Sequence, residues 1–484
     1  MGLFTVEEIR EVISVKVLAG PDFFSGKHLI RQISTDSRSV RRGDLFVALR
    51  GDRYDGHEFV PAVLAQGAAG AIVHDQYRLP PGSAAVRKVD RQPMPFLFGV
   101  RDPLFAYQQL ATHYRSRFHI PIVAVTGSNG KTTTKDMVAA VLAQRWPVLK
   151  TEGNLNNRIG VPNTLLRLTT RHHAAVIEMG VDQQGQTTRL CEIVKPTIGL
   201  ITNIGPDHLE FFGSMEGSAQ AKAELLDMLP ADGTAILNAD DHYFGYLAAR
   251  AQCRVLSFGF SEMADVRASD VTSDVRQGTA FRLHLPGKSR PTAIRIKVHG
   301  THNVTNALAA AAVGAALALS GSMIAQGLGR FRPAAMRSQV VTHHGVHIIN
   351  DCYNANPASM KAALQLLGEW NPARGRVAVL GDMLELGREA HQLHRDVGRF
   401  AAGLSLSRLI VCGDLGSEIA AGARQAGMPD HIILEVSDAN SAADLLKKSL
   451  QRGDVVLVKA SRGMRMEHIV QGLTGMKAVT KQAS

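Results

Sequence analysis

The stretch Thr126-Gly-Ser-Asn-Gly-Lys-Thr-Thr-Thr-Lys-Asp136 decides the reading of this 484-residue chain. A β-branched, apolar run from Ile120 to Val125 leads into it, and a helix-like run from Met137 to Ala143 leads out. Strand, Gly-rich turn, Lys-Thr and helix is the layout that holds a nucleotide polyphosphate. Its glycines let the backbone curl so that several N–H groups face one anion, and the helix start adds its positive dipole end. In that layout Lys131 reaches the outer phosphates and the Thr132 hydroxyl ligates Mg²⁺. The candidate nucleotide contacts are Gly127, Ser128, Asn129, Gly130, Lys131, Thr132 and Thr133. The usual pattern has a glycine five positions before Gly130, where this chain has Val125, so the loop is a short form, G-x-x-G-K-T.

A chain this long exceeds one core, and two to four domains are expected. With 45% hydrophobic and 20% charged residues, the composition is that of an ordinary soluble globular protein. The net charge of +11 admits nucleic acid, an anionic membrane surface or acidic small molecules. Lysines and arginines are scattered and aromatics are only 5%, which favours anionic small substrates over a strand-binding surface with stacking platforms. Cys191, Cys253, Cys352 and Cys412 lie far apart without a C-x-x-C pair, against a disulfide framework or structural zinc. The first residues show no signal peptide. The most apolar run, Ala307 to Leu319, is far short of the ~20 residues that span a bilayer and reads as a buried helix. A cytoplasmic protein without membrane insertion is the expectation.

From residue 1 to about 100, short helical and strand signals alternate. Thr5-Val-Glu-Glu is a capping box, and Pro103 suits the first turn of a helix. Ile33–Arg38 and Gly43–Leu49 read as strands around a polar turn, Gly51–Phe59 as a polar loop, Val60–Gly67 as a helix, Gly70–His74 as a strand and Leu79–Gly82 as a turn. From Ile120 the pattern becomes strand–loop–helix, with strands at Pro121–Val125, Ala174–Met179, Thr197–Thr202, Thr234–Asn238 and Arg254–Phe258. Such alternation argues a mostly parallel sheet covered on both faces. Residues 264 to 299 break the rhythm as a small antiparallel insertion, and Gly300-Thr-His-Asn opens the Ala-rich helix with Thr301 or Asn303 as its cap. After a linker at Arg330–Arg337, a second α/β pattern begins, of doubly wound type, with sites expected at the strand C-terminal ends. The fold class is thus α/β in three parts: residues 1–101, 102–333 and 334–484.

Glu178 ends the apolar strand Ala174-Ala-Val-Ile-Glu, where a carboxylate after a phosphate loop holds Mg²⁺ or is merely a surface residue. Ile201-Thr-Asn-Ile-Gly-Pro-Asp-His208 ends another strand, and His208 there is either structural or a ligand or phosphate contact. Lys222 sits on a helical segment, where spacing alone gives a solvated face. Asn350-Asp-Cys-Tyr-Asn-Ala-Asn-Pro357, Gly381-Asp-Met-Leu-Glu-Leu-Gly387 and Lys459-Ala-Ser-Arg-Gly-Met-Arg-Met-Glu467 are three polar strand-end loops that together predict a composite site.

Over nearly its whole length the chain resembles the Mur ligase family, ATP-dependent enzymes that extend the peptide of the peptidoglycan precursor. GNLNNRIGVP (153–162), VIEMG, GTHNVTNALAA and DCYNANPASM are most similar to the members that add D-Ala-D-Ala to UDP-N-acetylmuramoyl-tripeptide. The member adding the third residue carries a Tyr-Ala-His-Thr-Pro-like loop where this chain has Tyr353-Asn-Ala-Asn-Pro, and the Asp-Asn-Pro-Arg motif does not occur in the last part. The resemblance implies a uridine-nucleotide recognition domain, an ATPase domain and a Rossmann-like domain. It implies substrate contacts at Ser37, Arg38 and the Gly51–Phe59 loop, at Asn154 and Asn157, and at Ser461 and Arg462. Asn354 and Asn356 would lie near the adenine or the incoming amine. It further implies two Mg²⁺ ions at Thr132, Glu178 and His208, a carbamate on Lys222 holding the second, and ATP contacts from Asn303, Arg337 and Asp351. Lys131, Lys222 and His208 are its catalytic candidates. It departs from the family at Ala460, where a Lys-Gly-Ser-Arg loop has glycine. The expected protein is a monomer acting on these two substrates without nucleic acid. The remaining readings are the third-residue or a folyl-polyglutamate-like ligase, or a P-loop NTPase acting with nucleic acid, which only the positive charge suggests.

Overall fold

The computed structural model describes residues 2–20, 29–51, 54–80, 95–274, 277–371 and 373–475. Parts of the expected Gly51–Phe59 loop and Leu79–Gly82 turn lie outside them. The chain divides into two compact units. One comprises Met1–Pro121, Thr151–His173 and Arg189–Lys195; the other comprises Ile122–Lys150, Ala174–Thr188 and Pro196–Ser484.

The first unit carries a five-stranded sheet ordered Lys16–Ala19, Phe96–Val100, Gly70–His74, Leu45–Val47 and Ile33–Ser34, parallel except for its first pairing. The capping box forms at helix Val6–Val12: the Glu8 N–H donates to Thr5 Oγ1 and the Thr5 N–H to a Glu8 carboxylate oxygen. Pro103 opens helix Pro103–Ser116, capped by Asp102. Buried Arg115 on that helix donates to the carbonyls of Phe118, Val194 and Lys195, which joins separate pieces of the chain.

The second unit holds two sheets. The nine-stranded sheet runs Thr292–Ile296, Gly278–His284, Val266–Asp274, Arg254–Gly259, Thr234–Asn238, Ile198–Ile201, Ile122–Thr126, Ala174–Glu178 and Val148–Lys150. The five strands expected around the phosphate loop all form, each bound within one residue of its expected place. The antiparallel strands of 264–299 also form, but they extend this same sheet, because Val266–Asp274 pairs with the open edge of Arg254–Gly259. Helix Thr301–Ala316 is buried throughout residues 307–313, as its Ala-rich run requires. Its N-cap is Gly300 at φ 88 with no side-chain cap, not Thr301 or Asn303, which both fall inside the first turn.

The six-stranded sheet is ordered Gln339–His343, Val346–Asn350, Val455–Lys459, Arg376–Leu380, Arg408–Cys412 and Ile433–Val436, parallel after its first hairpin. Apolar clusters cover both faces, so the polar residues gather at the strand ends. Trp370, at the end of helix Pro357–Glu369, lies 5.0 Å ring to ring from His299, just before the Ala-rich helix.

The link between the sheets is held by one carboxylate. Asp351 Oδ1 accepts from the Ser338 N–H at 2.8 Å, and Oδ2 accepts from Lys459 Nζ at 2.5 Å. On either side of Arg337, Met336 (φ 62) and Ser338 (φ 47) sit in the left-handed region that side chains disfavour. Burial pushes the Asp351 carboxyl up, but the Lys459 ammonium outweighs it and holds the group below the usual carboxylate range. A depressed folded value means that this stabilisation is complete above the unfolded pKa of about 4 and is lost as pH falls through the folded value. Asp351→Ala strands the buried Lys459 cation, and we expect a loss of about 3–5 kcal/mol in urea unfolding at pH 7. A loss below about 1 kcal/mol would show that the clasp does not hold the link.

Candidate active site at the phosphate loop

Strand Ile122–Thr126 delivers the chain to the loop, and helix Lys131–Leu142 begins immediately after Gly130. Both glycines are required. A Cβ on Gly127 (φ 132) would meet Thr202 Oγ1 at 2.1 Å, and one on Gly130 (φ 79) would meet Asn306 Oδ1 at 2.3 Å. The N–H groups of Ser128 and Asn129 do not face an open cradle. They donate to the carbonyl and side-chain oxygens of Asn203, and Thr202 Oγ1 donates to the Asn129 carbonyl at 2.6 Å. That leaves the N–H groups of the first helical turn, which no intrahelical carbonyl can satisfy, as the donors free to meet an anion. Lys131 Nζ folds back onto the carbonyls of Gly127 (2.6 Å) and Ser128 (3.1 Å), at the mouth of that turn.

Thr132 and Glu178 come together from the helix and the neighbouring strand: the Thr132 hydroxyl donates to Glu178 Oε1 at 3.0 Å. Both are buried, and Lys135 Nζ lies 3.9 Å from Glu178 Oε2. Asp207, also buried, collects Ser128 Oγ at 2.5 Å, Lys222 Nζ at 3.0 Å and Ser218 Oγ at 3.2 Å on a single oxygen, Oδ1. Its Oδ2 has no partner among the described residues. The Thr132 hydroxyl beside the Glu178 carboxylate is donor chemistry that suits a hard cation, with phosphate and water to supply the rest of an octahedron. Among the described residues no three His, Cys, Asp or Glu side chains group closely enough to hold a metal by themselves.

Lys222 is not on a solvated face. It is 1% exposed on helix Met215–Asp227, above the Phe212 ring at 4.5 Å. Burial lowers its amine to about 8, although Asp207 pulls the other way; Lys131 adds to the lowering. Burial likewise raises the Asp207 carboxyl, but Lys222 and Lys131 more than reverse this. The small residues Gly217, Ser218, Ala219, Ala221 and Ala223 around Lys222 were the sequence signal of close packing. Asn203 and Asp207 stand in the sequence only as the polar end of a strand beside His208, and nothing marks Asn306, since their partners lie far away in sequence.

Asn303 joins a relay behind the loop: Thr134 Oγ1 donates to Asn306 Oδ1, and Asn306 Nδ2 donates to Asn303 Oδ1. From the six-stranded sheet, Asn356 reaches the loop directly, its Nδ2 donating to Asn129 Oδ1 at 2.8 Å while it caps helix Pro357–Glu369. His208 Nδ1 lies 2.6 Å from Glu385 Oε2. Arg337 stacks on Tyr353 at 3.8 Å, and Asp351 is committed to its clasp. Asn354 is exposed and offers its carbonyl to Lys459; Ser461 Oγ accepts from the Leu384 N–H; Arg462 pairs with Glu467. Ala460 is buried and has no left-handed φ; its methyl fits because the neighbouring Gly381 has none, a Cβ there falling 2.9 Å from it. In the first unit, Arg38 pairs with Asp36, beside Ser37, and the Asn157 side chain accepts from the N–H groups of Ile159 and Gly160, with Asn154 in a separate turn just before it.

A phosphate loop on one sheet, touched by a polar strand-end loop of a second α/β sheet, defines an enzyme that uses a nucleotide polyphosphate between two layers. Three family models cover most of the chain: "Mur ligase family, catalytic domain" at residues 29–112, "Mur ligase middle domain" at 125–314 and "Mur ligase, glutamate ligase domain" at 336–462. The UDP-N-acetylmuramoyl-tripeptide–D-alanyl-D-alanine ligase of Bacillus subtilis (strain 168) is 37% identical over 97% of this chain and 98% of its own. MurF from Acinetobacter baumannii superimposes with a TM-score of 0.85 at 32% identity, over 98% of this chain and 99% of that one. MurF ligase from Thermotoga maritima, solved in complex with ADP, gives 0.80 at 27% identity over 93% and 98%. The chain belongs to the Mur ligase family, and it is an ATP-dependent ligase.

The sign of the Asp207–Lys222 coupling is testable. Asp207→Asn removes the charge that supports the Lys222 ammonium, so the amine should titrate lower than its present value of about 8. A pH titration of the lysine ζ-nitrogen resonance would show this, and an unchanged or raised midpoint would disprove the coupling.

Proposed function

We propose that this ligase joins D-alanyl-D-alanine to UDP-N-acetylmuramoyl-tripeptide, driven by ATP, in peptidoglycan precursor synthesis. The observation that carries it is the meeting of Asn356 with Asn129, which brings a loop of the second sheet to the phosphate loop. The tripeptide carboxylate attacks the ATP γ-phosphorus, giving an acyl phosphate and ADP. The dipeptide amine then attacks the acyl carbon, phosphate leaves, and the amine's proton passes to solvent as the amide forms.

Phosphoryl transfer needs alignment and charge neutralisation more than covalent help. The first-turn N–H groups and Lys131 bind and orient the phosphates, with Thr133 in that turn. Thr132, Glu178 and His208 would hold Mg²⁺, with Lys222 for a second ion as a carbamate. Bound there, Mg²⁺ would neutralise the charge that develops on the transferring phosphoryl group. A neutral Lys222 amine adds CO₂ and releases one proton, and its lowered pKa of about 8 makes that form accessible near neutrality. The resulting carbamate would stand beside Asp207 as a second anion, a pair that only a cation stabilises, so carbamylation and metal binding would proceed together. Asn303 and Asn306 brace the loop; Arg337 and Asp351 shape the link over the nucleotide; Asn354, Asn356, Ser461 and Arg462 face the incoming amine or adenine. Ser37, Arg38, the Gly51–Phe59 loop, Asn154 and Asn157 would contact the uridine-nucleotide substrate. No described helix is long and apolar enough to cross a membrane. Its nucleotide-linked substrates suit the cytoplasm, where we place the enzyme as a monomer.

ADP release should rise only when UDP-muramoyl-tripeptide and D-Ala-D-Ala are supplied together; stimulation by DNA or RNA instead would overturn this reading. Lys131→Ala should abolish turnover while leaving the fold intact by circular dichroism. Lys222→Ala should lose about 10–100-fold in kcat, with partial rescue by short carboxylic acids. Full activity without rescue would remove the carbamate role.

A further inference from the structure

Of the three polar strand-end loops of the six-stranded sheet, Gly381–Gly387 has no task in the chemistry above. It is a built loop. The Met383 N–H donates to His394 Nε2 at 2.9 Å and the Leu384 N–H to Ser461 Oγ at 2.9 Å, which fixes the backbone that presents Glu385. Glu385 then leaves its own sheet: Oε2 lies 2.6 Å from His208 Nδ1, and its carbonyl accepts from the Glu210 N–H at 3.5 Å. Both paired residues are in the left-handed region, His208 at φ 51 and Glu385 at φ 63. Side chains disfavour that conformation, and it persists where surroundings over-determine it. Here each backbone turns its side chain toward the other.

An ionised carboxylate only accepts, so His208 donates through Nδ1–H. That assigns the neutral ring one tautomer, with the lone pair on Nε2. A ligating imidazole supported by a carboxylate on its far nitrogen is held in orientation and made more basic.

We propose that Glu385 is the positioning residue for the metal at His208, fixing that ring with its Nε2 lone pair outward, so that the ligand is ready only when the six-stranded sheet's loop is seated. This rests on the metal role proposed for His208. It gives the enzyme a way to complete its metal site only after the two sheets meet, which restrains phosphoryl transfer to water before the amine arrives.

The test is Mn²⁺ binding to the full-length enzyme, with a non-hydrolysable ATP analogue and UDP-muramoyl-tripeptide present and free Mn²⁺ read by electron paramagnetic resonance. Glu385→Ala should weaken one Mn²⁺ site about tenfold or more, matching His208→Ala, while Glu385→Gln, which keeps an uncharged acceptor, falls between. The ring-nitrogen NMR signals of His208, assigned by difference from His208→Asn, should change from a single tautomer to a mixture in Glu385→Ala. Full Mn²⁺ affinity in Glu385→Ala with loss in His208→Ala overturns the positioning role and spares the metal role. Full affinity in His208→Ala overturns the metal role itself. Glu385 is half exposed, so neither substitution empties a core.

Discussion

One oxygen atom, Oδ1 of Asp207, organises the nucleotide end of this enzyme. It accepts from Ser128 on the phosphate loop and from Ser218 and Lys222 on a single helix, and so ties three chain segments to one point. A buried carboxylate is tolerated only with such partners, because its desolvation is otherwise severe. Asn203, four residues earlier, takes the two N–H groups that the loop would otherwise leave open. The loop is therefore braced by its own hydrogen bonds, which leaves the N–H groups of the helix that follows it as the open donors.

The second half of the site is attached by a different device. Asp351 and Lys459 fasten the link between the sheets, and left-handed Met336 and Ser338 set the path of the chain around Arg337. Contact across the layers includes the polar pairs Asn129 with Asn356 and His208 with Glu385, and the ring pair of buried Trp370 with His299.

The phosphate loop, the parallel strands around it and the Ala-rich core helix were legible because each is a local pattern: period, β-branching and a glycine turn. The place of Glu178 at a strand end was legible; its burial against Thr132 was not. On spacing alone Lys222 reads as solvated, because helical spacing says which residues share a face, not what covers that face; its cover, Asp207 and Phe212, comes from the segment before its helix. Pairs such as Asp351–Lys459 and His208–Glu385 join residues over a hundred positions apart, and no periodicity reaches that far. The antiparallel segment was read correctly as strands but not as part of the main sheet, since edge pairing depends on a partner's free rim. At Ala460 the departure from the family's glycine looked like a loss of backbone room; the room exists because Gly381 beside it carries no side chain.

The seam between the sheets also contains a native optical probe. The chain has two tryptophans, and Trp370 is 3% exposed with its ring against His299 of the other layer. Parting of the layers would hydrate that indole and remove the nearer of its two imidazole neighbours, His347 of its own sheet staying behind, so its emission would move to the red without any attached dye. Trp146, stacked under Arg145 beyond the far end of the phosphate-loop helix, does not share that seam and serves as an internal reference. Opening and closing are thereby written into the fluorescence of the unmodified protein.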